Sequence, residues 1–166
     1  ENESFDLVYS HGVLHHTNST AAALQEIKRV LRPGGQVILM FYTKNSFNYW
    51  IRIQLLMRIR FLWEMSKRKL GLKSKGLWLN HLINFDKFGW KYFSWNNWPH
   101  RCTDGPDCEV AHIRSSNEIM QLLIFAGFNT DRTVKAHFPV GLSRTAEASL
   151  AKWLGFYQFI WASRDP

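Results

Sequence analysis

His11, His15 and His16 fall within six residues, in the run Ser10-His11-Gly12-Val13-Leu14-His15-His16. Imidazole titrates near pH ~6.5, so histidine is the side chain best suited to moving a proton at neutral pH. Three of the chain's seven histidines gathered in one short segment point to an enzyme site rather than a scaffold. Neighbours in a loop seldom both enter a pocket, so one of His15 and His16 is expected to pack or cap while the other does proton chemistry. A second group is weaker. Cys102 and Cys108, with His100 and His112 nearby, give a C-x5-C spacing that fits no common zinc pattern. No metal site is expected there, and the two cysteines read as free thiols. Asp104 precedes Gly105-Pro106 and reads first as a turn-forming aspartate, second as a group that orients a histidine or binds an acceptor hydroxyl.

The elements that must position the histidines are legible on either side of them. Phe5 to Tyr9 is a short β-rich run. Ala23, Leu24, Ile27, Val30 and Leu31 recur at helical spacing within 21–31, and Gln36 to Tyr42 is again nearly all apolar. Ser19 or Thr20 suits an N-cap, and Pro33-Gly34-Gly35 ends the helix. A helix between two closely spaced strands implies a parallel, right-handed crossover. In an open parallel sheet, ligands sit outside the carboxyl ends of the strands, which is where the histidine loop begins.

The run FDLVYSHGVLHHT, followed by ALQEIKRVLRPGGQVIL, resembles the post-cofactor half of class I S-adenosylmethionine-dependent methyltransferases. Within that family it is similar to the small-molecule group with a leucine, histidine, histidine loop after the fourth strand. TDGPDCEVAHIRSSNEIMQLLIFAGF and the closing LGFYQFIWASRDP resemble that group's later strands, leaving 46–98 weakly matched. The family's glycine-rich cofactor loop and the acidic residue that binds the ribose have no counterpart here. The resemblance therefore implies the C-terminal part of a longer protein: strands four to seven of a Rossmann-like α/β sheet, the last antiparallel, with a helical, aromatic-rich insert at 46–98. It also implies S-adenosyl-L-methionine as cofactor. Ser10, His11 and Val13 would line its methionine end, largely through backbone groups, and His15 or His16 would face the acceptor. His11 reads equally as a backbone-positioning residue.

Composition sets the remaining bounds. With 46% hydrophobic residues and 15% aromatics, 166 residues can build one core. No apolar run approaches the ~20 residues a membrane span needs, so a cytoplasmic location is expected. Twenty-one Lys and Arg against 13 Asp and Glu give a net charge of +8. Eight of the cations, Arg52, Arg58, Arg60, Lys67, Arg68, Lys69, Lys73 and Lys75, crowd the middle of the chain.

Between Ser46 and Leu70 the residues Phe47, Trp50, Ile53, Met57, Phe61 and Met65 approximate one helical face. Three readings suit this basic amphipathic helix. The leading one is a cap helix that buries the stripe and leaves a solvated basic face. The second is peripheral membrane contact through 46–70. Nucleic-acid binding ranks last, because no recognised motif accompanies the charge. Six of the eight tryptophans fall between positions 50 and 98, four of them within 76–98, a segment that reads as a second core layer or as a lid over a bulky acceptor.

Downstream, Ser115 or Ser116 opens a helix closed by Gly127, and Thr130 to Phe138 and Phe156 to Ser163 read as strands. The leading expectation is methyl transfer, in the full-length protein, to a small-molecule acceptor: a sugar, a polyketide or a lipid-linked compound. The rival is a non-catalytic binding or membrane-associated module that keeps half of the fold.

Overall fold

A computed structural model describes residues 1–138 and 143–165. The chain divides into two compact units, one formed by 1–47 and 112–166 and the other by 48–111. Pro139 and Gly141, in the segment expected to connect the last two strands, lie outside the described residues.

The first unit is built on the expected strand, helix, strand core. Strand β1 (Phe5–His11) leads through a 3-10 turn (Leu14–His16) to α1 (Thr20–Val30) and then β2 (Leu31–Tyr42). Ser19 takes an extended conformation, and its side chain accepts from the Ala22 N–H. The cap thus satisfies one of the N–H groups that a helix start leaves without a partner. The helix ends at Val30, earlier than the glycine pair, because Arg32 precedes a proline and is biased towards extended backbone.

Helix α5 (Ser116–Ala126) starts with a reciprocal capping box: the Ser115 side chain accepts from the Glu118 N–H while the Glu118 carboxylate accepts from the Ser115 N–H. It closes on Gly127 in the left-handed conformation, at φ 77°. Strand β3 (Phe128–Ala136), α6 (Arg144–Leu154) and β4 (Tyr157–Arg164) complete the unit.

The four strands are ordered β1-β2-β4-β3, with β1 and β2 parallel and β4 antiparallel to both of its neighbours. The last strand is therefore inserted between the second and third, as the resemblance implies. Val37, Leu39 and Phe41 of β2 and Ile160 and Ala162 of β4 pack with Leu24 of α1 and Ile119 and Leu123 of α5 in one core on one face of the sheet. Leu7, Tyr9 and His11 alternate onto the other face. There the register places Tyr9 beside Ile38 and Ile38 beside Trp161, and the Arg132 guanidinium lies 5.2 Å from the Trp161 ring centre.

The second unit is helical. A π-helix (Asn48–Met57) runs into α2 (Arg58–Lys69), followed by α3 (Gly76–Phe88) and α4 (Trp98–Thr103). Its centre is aromatic: Phe61 packs within 5.5 Å of Phe85, Phe93 and Trp98, and the Trp98 indole N–H donates to the Ile53 carbonyl at 3.0 Å. The sequence reading put one continuous α-helix over 46–70 with a single buried stripe. The structure corrects both points. The first ten residues are wound as a π-helix, which shifts the facing of everything before Met57, and Trp50 is half-exposed while Tyr49, Ile53, Phe61 and Glu64 are buried.

Among the described residues no helix is long and apolar enough to cross a membrane.

Candidate active site

The histidine segment leaves the carboxyl end of β1, the inner partner of which, β2, ends beside it at Tyr42. Gly12 makes the exit turn at φ 73°, a conformation that disfavours any residue with a Cβ. Val13 follows with its side chain 57% exposed. The 3-10 turn is then pinned from two sides. The His16 N–H donates to the Val13 carbonyl at 2.9 Å, and the Leu14 carbonyl accepts from the Thr17 hydroxyl at 2.8 Å and the Thr20 hydroxyl at 3.2 Å. These bonds tie the loop to the first turn of α1.

The second clamp is His112. Its backbone N–H donates to the His15 carbonyl at 2.7 Å, and its Nε2 lies 3.1 Å from the Thr17 carbonyl oxygen. A carbonyl only accepts, so Nε2 carries the hydrogen. Burial, with the Arg114 charge adding to it, holds the His112 pKa below the ordinary histidine value, which keeps the clamp neutral.

His15 and His16 are placed together, with ring centres 4.4 Å apart, but in different surroundings. His15 has no exposed surface and lies 4.0 Å from the Tyr42 ring, which stacks in turn on Phe156 at 4.7 Å and Tyr157 at 5.7 Å. His137 extends the set, stacked 4.6 Å from Tyr157. His16 is partly exposed. His11 belongs to a different ring set, 6.2 Å from Tyr9 and 5.5 Å from Phe159 on the sheet face. Ser10 is half-buried at the strand end, paired with Leu39.

Sequence reasoning missed Tyr42 and His112. Tyr42 read as the last residue of an apolar strand, and His112 was weighed only as a metal ligand. The available signal for Tyr42 was its place at a carboxyl strand end, beside the histidines. Asp104 caps the end of α4, exposed, with Gly105 next at φ 112°. Cys102 is half-buried in the helical unit, and desolvation there pushes its thiol pKa up, away from the reactive thiolate form. Cys108 donates to the Val110 carbonyl at 3.4 Å.

Residues 1–39 match the family of methyltransferase domains. The fold agrees: the chain superposes over 99% of its length on 58% of a SAM-dependent methyltransferase from Thermotoga maritima, a possible histamine N-methyltransferase, with TM-score 0.52 and 17% identity. A methyltransferase from Listeria monocytogenes gives TM-score 0.53 at 11% identity, with 100% of this chain on 64% of that one. The chain carries the class I methyltransferase fold.

Curated proteins resemble about a quarter of the chain. A tRNA U34 carboxymethyltransferase from Idiomarina loihiensis is 51% identical over 39 residues, which is 24% of this chain and 12% of that protein. A highly reducing polyketide synthase from Pyrenophora dematioidea is 40% identical over 45 residues, 27% of this chain and 2% of that one. The chain thus spans only a small part of these curated relatives.

S-adenosylmethionine is the cofactor that the family match and the fold imply. The residues present fit one wall of such a site: Gly12 leaves the main chain bare at the strand exit, and Val13 offers an exposed apolar side chain beside it.

Proposed function

We propose that the full-length protein transfers a methyl group from S-adenosylmethionine to a small-molecule acceptor, with the loop 10–16 forming part of the cofactor and acceptor site. The reading takes the whole of 1–166 as the C-terminal part of one methyltransferase domain, the helical unit being an insert between β2 and α5. The observation that carries it is the pairing of a bare, positive-φ glycine at the exit of a parallel strand with a partly exposed histidine braced by a buried one.

When bound, the cofactor supplies an electrophilic methyl on a sulfonium. What the chain contributes is placement. Ser10, His11 and Val13 hold the methionine end, the first two from the last positions of β1. His16 would face the acceptor and take up the proton that an acceptor hydroxyl gives up on methylation, the thioether being the leaving group. His15 does not reach solvent, so its part is to fix the neighbouring ring through its packing on Tyr42. Tyr42, Tyr157 and His137, each partly exposed and backed by the buried Phe156, offer flat ring surface, which suits a polyketide or other carbon-rich acceptor better than a bare sugar.

The test is incubation of the full-length protein with S-adenosylmethionine labelled in its methyl group and with polyketide thioester, sugar and lipid-linked acceptors. Label is expected in one of these product classes, and His16→Asn should lower kcat on a hydroxyl acceptor by roughly a hundredfold with KM nearly unchanged. Label in no product, while cofactor still binds, would establish the non-catalytic module instead.

A further inference from the structure

Helix α2 and the π-helix before it are apolar on two opposite faces, and only one of them is used inside the fold. Tyr49, Ile53, Phe61 and Glu64 are buried within the helical unit. Ile51, Leu55, Ile59 and Trp63 follow one another at steps of four residues, with Leu62 three after Ile59, so they share a face, and all five are exposed, Trp63 by 57%. Leu56 widens the stripe, and Leu70 and Leu72 continue it past the helix end, 76% and 55% exposed. Isolated exposed leucines need no explanation, but a contiguous row of this length does.

The charge around the stripe says what covers it. Between positions 52 and 75 there are eight Lys and Arg and a single acid, Glu64. Glu64 is on the buried side, where Ser74 donates to it at 2.7 Å and Lys67 and Arg60 pair with it at 2.9 and 2.7 Å. Its negative charge is thereby kept off the surface. Lys69, Lys73 and Lys75 follow the stripe into the turn after α2, all exposed. Arg52 lies at its other end, also exposed.

We infer that this stripe docks the protein on an anionic lipid bilayer, lying in the interface with its apolar row among the acyl chains and Lys69, Lys73 and Lys75 on the headgroups. Apolar row and flanking cations are the two components such binding sums. A nucleic acid would use the cations but gain nothing from a row of exposed aliphatic side chains. The helix lies on the bilayer rather than across it, since none of the described helices is long and apolar enough to span. This holds whether or not the proposed methyl transfer does, because it rests on the helical unit alone.

The experiment is co-sedimentation of the full-length protein with phosphatidylcholine vesicles, with and without phosphatidylserine. Binding is expected only with phosphatidylserine. Each cation near such a surface contributes about fivefold, so Lys69→Gln, Lys73→Gln and Lys75→Gln together should weaken binding roughly a hundredfold. Leu62→Glu with Ile59→Glu should abolish it. These side chains are exposed, so circular dichroism and the melting transition should not change. Equal sedimentation with both vesicle types, or full binding by the Leu62→Glu, Ile59→Glu variant, would overturn the inference. So would a dimer in light scattering that this variant dissociates, since the stripe would then face a second copy.

Discussion

The His15 ring centre lies 4.0 Å from that of Tyr42, so the first of the two adjacent histidines is held as a fully buried member of an aromatic stack rather than as a free side chain. The stack couples the loop after β1 to the end of β2 and the start of β4, through Phe156 and Tyr157. The His16 ring, 4.4 Å from that of His15, is therefore positioned by the stack rather than by the loop alone.

Replacing Tyr42 with Ala removes the ring from the centre of that stack. Loss of about 3 kcal/mol in urea unfolding is expected, from lost burial and ring contacts together. Tyr42→Phe keeps the ring and should stay within ~1 kcal/mol. Equal stability of the Ala variant and the parent would show that His15 is held by something else.

The helical unit is expected to lose stability in acid. His81 is buried, with Nδ1 2.6 Å from the Tyr92 hydroxyl, and burial pushes its pKa down to about 4 against an opposing pull from Asp107. A histidine whose folded pKa is depressed binds fewer protons folded than unfolded. Its stabilising effect is complete above about pH 6.5 and is lost as pH falls towards about 4, by on the order of 3 kcal/mol. His81→Phe should flatten that slope in melts taken between those limits. An unchanged slope would assign the acid loss elsewhere, Glu64 being the next group to examine, since Ser74 and Lys67 hold its carboxyl below the usual carboxylate range.

Strand β1 is an edge of the sheet, and its Phe5, Leu7 and Tyr9 are all more than half exposed. An uncovered edge strand with apolar side chains templates association between chains. The 166 residues alone should aggregate at micromolar concentration, and Leu7→Lys should delay the aggregation. In the full-length protein the same substitution should instead cost stability, because the proposed upstream half covers that edge. A monodisperse 166-residue monomer would contradict this.

The sheet was legible in the sequence because each boundary carries its own chemistry. Ser19, the Ser115 and Glu118 pair, and Gly127 fix helix ends locally. The order β1-β2-β4-β3 followed from the family resemblance rather than from strand composition. The helical unit was less legible. A π-helix over Asn48–Met57 has no propensity signal, and a wheel drawn at 3.6 residues per turn therefore assigned Trp50 to the buried face. In the site, the histidines were found by their clustering. Tyr42 and His112 were not, because they join the loop from 27 and 95 residues away, through ring packing and a bond to the Thr17 carbonyl that no local pattern encodes.

The most direct test of the account is titration of the full-length protein with S-adenosylhomocysteine in a calorimeter, beside its Val13→Glu variant. Val13 is 57% exposed, so a glutamate there leaves the fold intact and sets a negative charge where the cofactor's methionine end is proposed to lie. The account predicts micromolar binding by the parent and a loss of at least tenfold in the variant. Absence of binding by the parent, or equal affinity in both, would contradict it.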